Sequence, residues 1–363
     1  MLSILALNAL PKIGPIRVRR LLERFGDAES ILKARKDELI RVDGIGEETA
    51  TILTKWQDFA DPVTELREAT ERGISILTPE DDHFPPALRE AYDAPLLLYV
   101  WGKVEARDRH AIGIVGTRRC TIYGRHATKL VSFQLAHAGF TIVSGLARGV
   151  DTVAHEAALA AGGRTIAVLG SGLAQLFPAE NLALAEKIAE GRGAVVSEFP
   201  LHTMPDKQTF PQRNRIVAAW SRAIVVTECA RKSGSLITAN LAGDYGRPVY
   251  AVPGPIDAES SAGCNQLIRE GATLATSGED ILEDLGELPF ARPAAMPAAQ
   301  AATLPELPAE EAKVFSALGE GESGVDRLVE STGLAAPVVA TSLMKLEMRK
   351  LVRALPGFRY VKR

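Results

Sequence analysis

Short apolar runs rich in β-branched residues alternate with stretches of helical periodicity between residues 71 and 285. Many of these runs are apolar at nearly every position, which is typical of parallel strands covered by helices on both faces. The pattern predicts strands at Ile74–Leu77, Leu96–Trp101, His110–Val115, Thr141–Val143, Thr165–Leu169, Gly193–Ser197, Ala223–Thr227 and Val249–Val252. It therefore predicts an α/β domain with a doubly wound sheet over residues 66–286.

Residues 1–65 show a different pattern, in which short helical runs are separated by glycine and proline. Segments 10–15 and 42–46 resemble each other, and a helical run follows each of them. A hydrophobic residue followed by glycine in a tight turn between helices is the helix-hairpin-helix pattern, in which backbone N–H groups can face a phosphate. We expect a helical helix-hairpin-helix/SAM-like domain, and both DNA contact and simple packing remain open as its role.

The C-terminal region divides into an Ala/Pro-rich linker and a small domain. The linker composition covers residues 287–308. The remaining pattern predicts helices at 309–318, 324–332 and 336–350, and a hairpin over 351–361 that turns at Pro356-Gly357. Three helices and a hairpin predict a winged-helix domain over 309–363.

The end of this domain is basic. Residues 345–363 carry Lys345, Arg349, Lys350, Arg353, Arg359, Lys362 and Arg363 against the single acid Glu347. Such a surface could touch duplex DNA, but a winged helix can equally dock a protein. Both contacts remain open.

Charge and cysteine usage narrow the class of protein. The 363 residues have a formal net charge of -3, which argues against an overall basic DNA-coating protein but allows a local basic pocket. The cysteines Cys120, Cys229 and Cys264 form no CxxC pair, so we expect neither a disulfide framework nor a zinc site.

The apolar stretch 2–10 is too short to cross a membrane and makes a poor signal peptide. We expect a cytoplasmic protein without membrane contact.

Glycine-containing turns follow four of the predicted strands. They contain Gly116-Thr117-Arg118, Ser144 to Asp151, Gly170-Ser171-Gly172 and Ser233-Gly234-Ser235. Ligands of open α/β sheets bind at the carboxyl ends of the strands, where N–H groups and helix N-termini can converge on an anion. Arg118 could hold a phosphate with two hydrogen bonds, and Thr117 could cap the turn that follows it.

Neither G-x-G-x-x-G nor the Walker A pattern occurs in these turns, so we predict no nucleotide cofactor. The histidines show no spacing of metal ligands, so we predict no metal.

Asp151 is expected to cap the helix that carries His155. We expect His155 to be structural rather than catalytic. Glu198 and Glu228 could form an acid–base pair, but we expect them to form salt bridges with arginines.

Segment 206–215 combines positive charge with an aromatic ring. Lys207, Arg213 and Arg215 supply the charge, Phe210 offers a face to a base, and Asn214 offers a donor and an acceptor. Single-strand-binding proteins combine cations that follow the backbone with rings on which bases stack for about 1–3 kcal/mol per base. The alternative is that Phe210 belongs to the core and the arginines pair with Glu198 or Glu228.

Together, the ordered motifs resemble the DNA-processing protein A (DprA/Smf) family across nearly the whole chain. The motifs are Gly116-Thr117-Arg118; Ser144-Gly145-x-Ala147-x-Gly149-Val150-Asp151-x-x-Ala154-His155; Phe210-Pro211-x-Arg213-Asn214-Arg215-Ile216; Ser233-Gly234-Ser235-x-x-Thr238-Ala239; Val252-Pro253-Gly254; and Gly263-x-Asn265-x-Leu267-Ile268, followed by Gly271-Ala272. In this chain Thr117 replaces the family's commoner serine and Val150 its commoner isoleucine.

The resemblance implies an extended Rossmann-like core that forms a homodimer, binds single-stranded DNA, protects incoming DNA and loads RecA during natural transformation. It implies that Arg118 grips a phosphate and that Ser171 and Gly172 donate backbone contacts. Lys207 and Phe210 would serve the DNA pocket. It further implies that Arg213, Asn214 and Arg215 line or brace that pocket, and that Ser233, Gly234 and Ser235 form another wall.

Two alternatives to this function belong to other classes. A nucleotide phosphoribohydrolase would need a Pro-Gly-Gly-x-Gly-Thr loop, whereas the corresponding loop reads Lys232-Ser233-Gly234-Ser235. A regulator would sense a ligand in the core and read duplex DNA with the winged helix. We expect a binding protein and not an enzyme.

Overall fold

The computed structural model describes residues 1–286, 308–318, 323–349, 351–355 and 359–362. These residues belong to two compact units, Met1–Phe290 and Ala291–Arg363. Within the described part of the chain, no helix has both the length and the apolar character needed to cross a bilayer.

The first unit begins with a bundle of short helices. They are α1 (Leu2–Ala9), α2 (Pro15–Phe25), α3 (Ala28–Lys33), α4 (Lys36–Leu39), α5 (Glu47–Thr54) and α6 (Pro62–Glu71). Gly14 and Gly46 are the N-cap residues of α2 and α5. Both predicted hairpin turns therefore lead into helices, and the buried side chains of Val18, Leu21 and Leu53 hold the bundle together.

A nine-stranded sheet forms the centre of this unit. Its strands are β1 (Ile74–Leu77), β2 (Leu98–Gly102), β3 (Ala111–Val115), β4 (Thr141–Ser144), β5 (Thr165–Val168), β6 (Gly193–Ser197), β7 (Ala223–Val226), β8 (Val249–Ala251) and β9 (Thr273–Leu274). The spatial order is β1-β2-β6-β5-β4-β3-β7-β8-β9. Strands β3 to β9 pair in parallel, whereas β1 and β2 form an antiparallel edge.

Helices cover both faces of the sheet. They are α7 (Pro86–Arg89), α8 (Ile122–His137), α9 (Val150–Ala160), α10 (Leu182–Ala189), α11 (Thr209–Trp220), α12 (Gly234–Asp244), α13 (Ala262–Arg269) and α14 (Gly278–Asp284). Ala223 and Val225 of β7 pack in the cluster that contains α8 and α9. Ile224 and Val226 pack in the cluster that contains α11 and α12. This alternation confirms the predicted doubly wound fold.

All the predicted strands are present, and Ile74–Leu77 and Gly193–Ser197 match residue for residue. The sequence pattern missed β9, because Thr273 and Leu274 form a two-residue strand that is exposed at the sheet edge. Strand β2 starts two residues later than predicted, at Leu98, although Leu96 and Leu97 are also buried. Burial alone therefore does not place the start of a strand.

The second unit has the predicted winged-helix elements. They are α15 (Ala309–Ala317), β10 (Ser323–Gly324), α16 (Val325–Thr332), α17 (Ala336–Met348), β11 (Val352–Leu355) and β12 (Arg359–Lys362). The three strands form an antiparallel sheet in the order β10-β12-β11. The predicted turn at Pro356-Gly357 and most of the predicted linker lie outside the described residues.

Some of the basic side chains of this unit have partners inside it. Lys345 and Arg349 lie 3.7 Å and 3.4 Å from the buried carboxylate of Glu311. The ammonium group of Lys362 lies 4.9 Å from the centre of the Phe315 ring. These contacts stabilise the unit and engage part of the basic surface that the sequence indicates.

A buried ion pair fixes the amino edge of the sheet. The side chains of Arg164 and Asp108 are 6% and 1% exposed, and they form two hydrogen bonds of 2.9 Å. Asp108 also accepts a hydrogen bond from the hydroxyl of Thr141, and its carbonyl accepts one from the indole of Trp220. Strands β4 and β5 and helix α11 are therefore tied together at this point.

We predict that Arg164→Met destabilises the first unit by about 3–5 kcal/mol, because it leaves the Asp108 carboxylate buried without its countercharge. Urea unfolding followed by tryptophan fluorescence measures this change, since Trp56, Trp101 and Trp220 are the three tryptophans of the chain and all belong to that unit. Arg192→Met is the matched control, because Arg192 is exposed and should change the stability by less than about 0.5 kcal/mol. Equal free energies of unfolding for the two variants would contradict a stabilising role for the Arg164–Asp108 ion pair.

Candidate functional site

An open cleft of about 430 Å³ lies at the carboxyl ends of β3 and β7. Its walls come from the turn after β3, the N-terminal part of α11 and the N-terminus of α12. Nine of the predicted site residues line this cleft: Gly116, Arg118, Lys207, Phe210, Arg213, Asn214, Ser233, Gly234 and Ser235. The structure therefore brings together turns that are more than a hundred residues apart in the chain.

Helix α12 begins at one wall of the cleft. Ser233 is its N-cap residue, and the Ser233 hydroxyl accepts a hydrogen bond from the backbone N–H of Ser235. The two hydroxyls lie 2.8 Å apart. The N-terminus of an α-helix carries partial positive charge and unpaired N–H groups, so this wall can hold an anion.

A cation and an aromatic ring form the opposite wall. The guanidinium of Arg118 lies over the Phe210 ring, 5.0 Å from its centre, and both Arg118 and Lys207 are exposed to solvent. The Phe210 ring is only partly buried. It packs so closely on Gly170 that a β-carbon there would lie 2.7 Å from a ring carbon. Phe210 is therefore a wall of the cleft and not a core residue.

Arg213 braces the cleft from below. Its side chain is buried, and Nη1 donates hydrogen bonds to the carbonyls of Gly145 and Val168. Its Nε donates to the side-chain oxygen of Asn214. Burial lowers the pKa of the Arg213 guanidinium, and the nearby Asp151 carboxylate opposes that shift. Arg213 therefore holds the ends of β4 and β5 in place.

The prediction that Asp151 caps helix α9 is wrong. The helix starts after Gly149, and Asp151 lies in its first turn with its carboxylate accepting hydrogen bonds from the N–H groups of Gly145 and Ala147. Burial raises the pKa of this carboxyl group, and the charge of Arg213 opposes the shift. Asp151 stabilises the turn that precedes its own helix.

Arg215 does not line the cleft. Its guanidinium donates hydrogen bonds to the Glu198 carboxylate and to the carbonyl of Asp93, and it lines a separate cavity of about 540 Å³ beside the N-terminal helices. Residues two positions apart on a helix face different sides, so Arg213 and Arg215 cannot both point at the same cleft.

Two further predictions about the turns need correction. The N–H of Gly172 donates to the carbonyl of Thr203, and a β-carbon at Gly172 would lie 2.1 Å from the carbonyl oxygens of Pro200 and Leu201. Ser171 is buried and lies outside the cleft lining. The turn after β5 therefore needs its glycine for close packing, and its N–H is not available to a ligand.

Thr117 supports the site without lining it. Its N–H donates to the carbonyl of Glu228, and its hydroxyl accepts a hydrogen bond from the N–H of Arg119. The predicted capping of this turn is therefore confirmed. The contact positions Arg118 at the mouth of the cleft.

The candidate acid–base residues have structural roles. Burial lowers the pKa of His155 to about 3, so its ring is neutral, and its Nδ1 lies 2.6 Å from the hydroxyl of Thr165. The expected salt bridge of Glu198 is confirmed by its contact with Arg215. Glu228 instead accepts hydrogen bonds from the N–H and the hydroxyl of Thr121. Within the described ranges, no cluster of His, Cys, Asp and Glu side chains has the geometry of a metal site.

Ile237 and Thr238 lie one turn into α12 and contribute to the same wall. Thr238 belongs to one of the family motifs, but neither residue was among the predicted site residues. Their helical spacing from Ser233 and Gly234 was the available signal. Phe177, which was not predicted as a site residue, has its ring centre 6.1 Å from that of Phe210. Nothing local in the sequence relates these two phenylalanines, which are 33 positions apart.

Family models account for all three regions of the chain. The model "DNA recombination-mediator protein A" matches residues 75–286. The model "DprA winged helix domain" matches residues 297–357, and the model "SAM-like Helix-hairpin-helix tandem" matches residues 4–53.

Individual proteins give the same result. The chain is 34% identical to Protein Smf of Synechocystis, in an alignment that covers 99% of this chain and 98% of the relative. It is similar to the crystal structure of DprA from Streptococcus pneumoniae, with a TM-score of 0.67, 34% identity and coverage of 77% of this chain and 95% of the other. DprA of Helicobacter pylori, described for its single-stranded DNA binding mode, matches with a TM-score of 0.53, 33% identity and coverage of 58% and 95%.

The full-length similarity to Smf, the family models in their expected order and the matching fold agree with the motifs around the cleft. The chain belongs to the DNA-processing protein A (DprA/Smf) family.

Proposed function

We propose that this protein binds single-stranded DNA in the cleft between Arg118, Lys207, Phe210 and the start of α12. One observation carries the proposal: an exposed arginine lies over a partly exposed ring at the mouth of the cleft. Cations that meet phosphates, beside rings that meet bases, are the shared recipe of single-strand-binding sites. The Helicobacter pylori relative, which is described for its single-stranded DNA binding mode, supports the same function here.

The cleft suits a single strand better than a duplex. Stacking on Phe210 requires a base whose face is free, which a duplex does not offer without being opened. The net charge of -3 for the whole chain makes long-range attraction to DNA weak, so binding depends on the local cations and on the α12 N-terminus.

The resemblance to the DprA/Smf family also suggests the process in which the protein acts, which is natural transformation. The protein would act in the cytoplasm as a homodimer through its Rossmann-like domain, protect incoming single strands and load RecA on them during natural transformation. These are binding steps, so the proposal assigns no catalytic residue and no cofactor.

The winged-helix unit is proposed to contact a protein. The N-terminal residues of a recognition helix are the ones that reach base edges in the major groove. In α17 the exposed residues of that part are Ala336, Pro337, Ala340 and Thr341. The first three have no hydrogen-bonding group in the side chain, and the Thr341 hydroxyl donates to the carbonyl of Pro337. Because Lys345 and Arg349 also engage Glu311, this surface favours a protein over duplex DNA.

We expect the double variant Lys207→Ala/Phe210→Ala to lose most single-strand binding, because it removes a cation and a stacking face from the cleft. Fluorescence anisotropy with a labelled oligonucleotide and duplex competitor measures the loss. The matched control is Lys55→Ala/Phe59→Ala, which changes an exposed lysine and an exposed phenylalanine among the N-terminal residues. If the first variant keeps its affinity for single strands, or if the control loses as much, the DNA-binding site does not lie in the cleft.

Arg118→Ala should weaken binding and also reduce its dependence on salt. Each phosphate contact to a single strand contributes about 0.7 to the slope of log K against log salt. The slope should therefore fall by about 0.7 in this variant. Arg119→Ala, which removes the same charge from the exposed neighbour outside the cleft lining, should leave the slope unchanged. An unaltered slope in folded Arg118→Ala protein would remove this residue from the site.

RecA loading is tested on single strands coated with a single-strand-binding protein. We expect the wild-type chain to shorten the lag before RecA hydrolyses ATP on such DNA. The Lys207→Ala/Phe210→Ala variant should not shorten it, and the Lys55→Ala/Phe59→Ala control should behave as wild type. If the wild-type chain binds single strands normally but does not shorten the lag, its function is single-strand binding without RecA loading.

A further inference from the structure

Phe177 places a second aromatic ring beside the DNA cleft. Its side chain is 40% exposed, its ring centre lies 6.1 Å from that of Phe210, and the two ring planes meet at 46°. A single exposed apolar residue is ordinary on a protein surface. The position of this one, directly beside the proposed stacking residue, is what suggests a role.

Part of the Phe210 ring is covered, and the rest lines the cleft. Arg118 lies over it at 5.0 Å, and Gly170 packs against its Cδ1 edge. One base can therefore stack on the free part of Phe210, and the neighbouring base of the same strand finds an exposed aromatic surface at Phe177. The two rings together offer more stacking area than the cleft residues alone.

The backbone holds Phe177 in a defined place. The 3₁₀ turns Leu173–Gln175 and Ala179–Asn181 flank it on either side. The N–H of Ala174 donates to the carbonyl of Leu201, and the Asn181 amide donates to the carbonyl of Leu146 and to the hydroxyl of Thr152. Because the turn is fixed at both ends, little order has to be imposed on it when a base stacks.

An ion pair neutralises the carboxylate of Glu180, which lies close to Phe177 in the chain. The Glu180 carboxylate, three residues after Phe177, would repel a phosphate. It forms two hydrogen bonds with the guanidinium of Arg148, of 2.6 Å and 2.7 Å. The pair is exposed and has no net charge, so it neither attracts nor excludes the backbone strongly.

We propose that Phe177 is a second base-stacking subsite, which takes a base next to the one held at the Arg118–Phe210 cleft. The proposal rests on the single-strand-binding function proposed above and extends the binding site beyond the cleft lining. The ligand class is an unpaired nucleobase of the same strand, taken without sequence preference, because every base offers a face for stacking.

The test compares Phe177→Ala and Phe177→Tyr with wild type in anisotropy titrations over a series of salt concentrations. Loss of one stacked base should weaken binding by roughly 5- to 160-fold, at an unchanged salt slope, because no phosphate contact is removed. Phe177→Tyr keeps an aromatic face and should bind as wild type. Leu182→Ala is the matched control, since it removes another exposed apolar side chain that has no ring.

A second readout follows the base itself. An oligonucleotide carrying 2-aminopurine should show stacking-dependent quenching with the wild type and with Phe177→Tyr, and less quenching with Phe177→Ala. Tryptophan fluorescence in urea checks that each variant is folded.

The outcomes separate this subsite from the function on which it rests. Normal single-strand binding by the wild type, with Phe177→Ala equal to it, overturns the subsite and leaves the cleft intact. A fall of the salt slope in Phe177→Ala, without rescue by Phe177→Tyr, also overturns it, because the residue then acts through the cations of the cleft. A wild-type chain that binds no single strands overturns both proposals.

Discussion

The guanidinium of Arg213 is buried at the carboxyl edge of the sheet, where it has little contact with solvent. A buried cation is tolerated only when its donors are paired and its charge is balanced. The carbonyls of Gly145 and Val168 and the charge of Asp151 supply that pairing. The ends of two strands and the start of helix α11 are therefore held at a set distance, and the cleft above them depends on it.

The groups proposed to meet DNA are held differently from the groups that support them. Arg118 and Lys207 are exposed, so they can exchange water for phosphate at small cost. The turns beneath them are fixed by internal hydrogen bonds, such as those of Thr117 with Glu228 and of Gly172 with Thr203. Rigid support beneath solvent-exposed contact groups is the arrangement that lowers the entropic cost of binding.

Many charged side chains in the described part of this protein are paired with each other, and unpaired positive charge is found at the cleft. The net charge of the chain is -3, and many of its arginines are used within the fold. Arg164 pairs with Asp108, Arg215 with Glu198, and Arg148 with Glu180. Against this balanced background, the cations beside Phe210 and the N-terminus of α12 form a small region suited to an anionic strand.

Composition and periodicity determined the class of the fold, because continuous apolar runs are stable as parallel strands only when helices cover both faces. The ordered glycine motifs also identified the turns that meet at the cleft. The tertiary structure alone decided what each side chain in those turns does. Asp151 turns back to its own loop, and the phase of helix α11 sends Arg215 to Glu198. Phe177 reaches Phe210 from a separate loop. The spacing of Arg213 and Arg215 on one helix shows that they face different sides. Which partner each of them meets depends on contacts between distant segments, which local spacing does not encode.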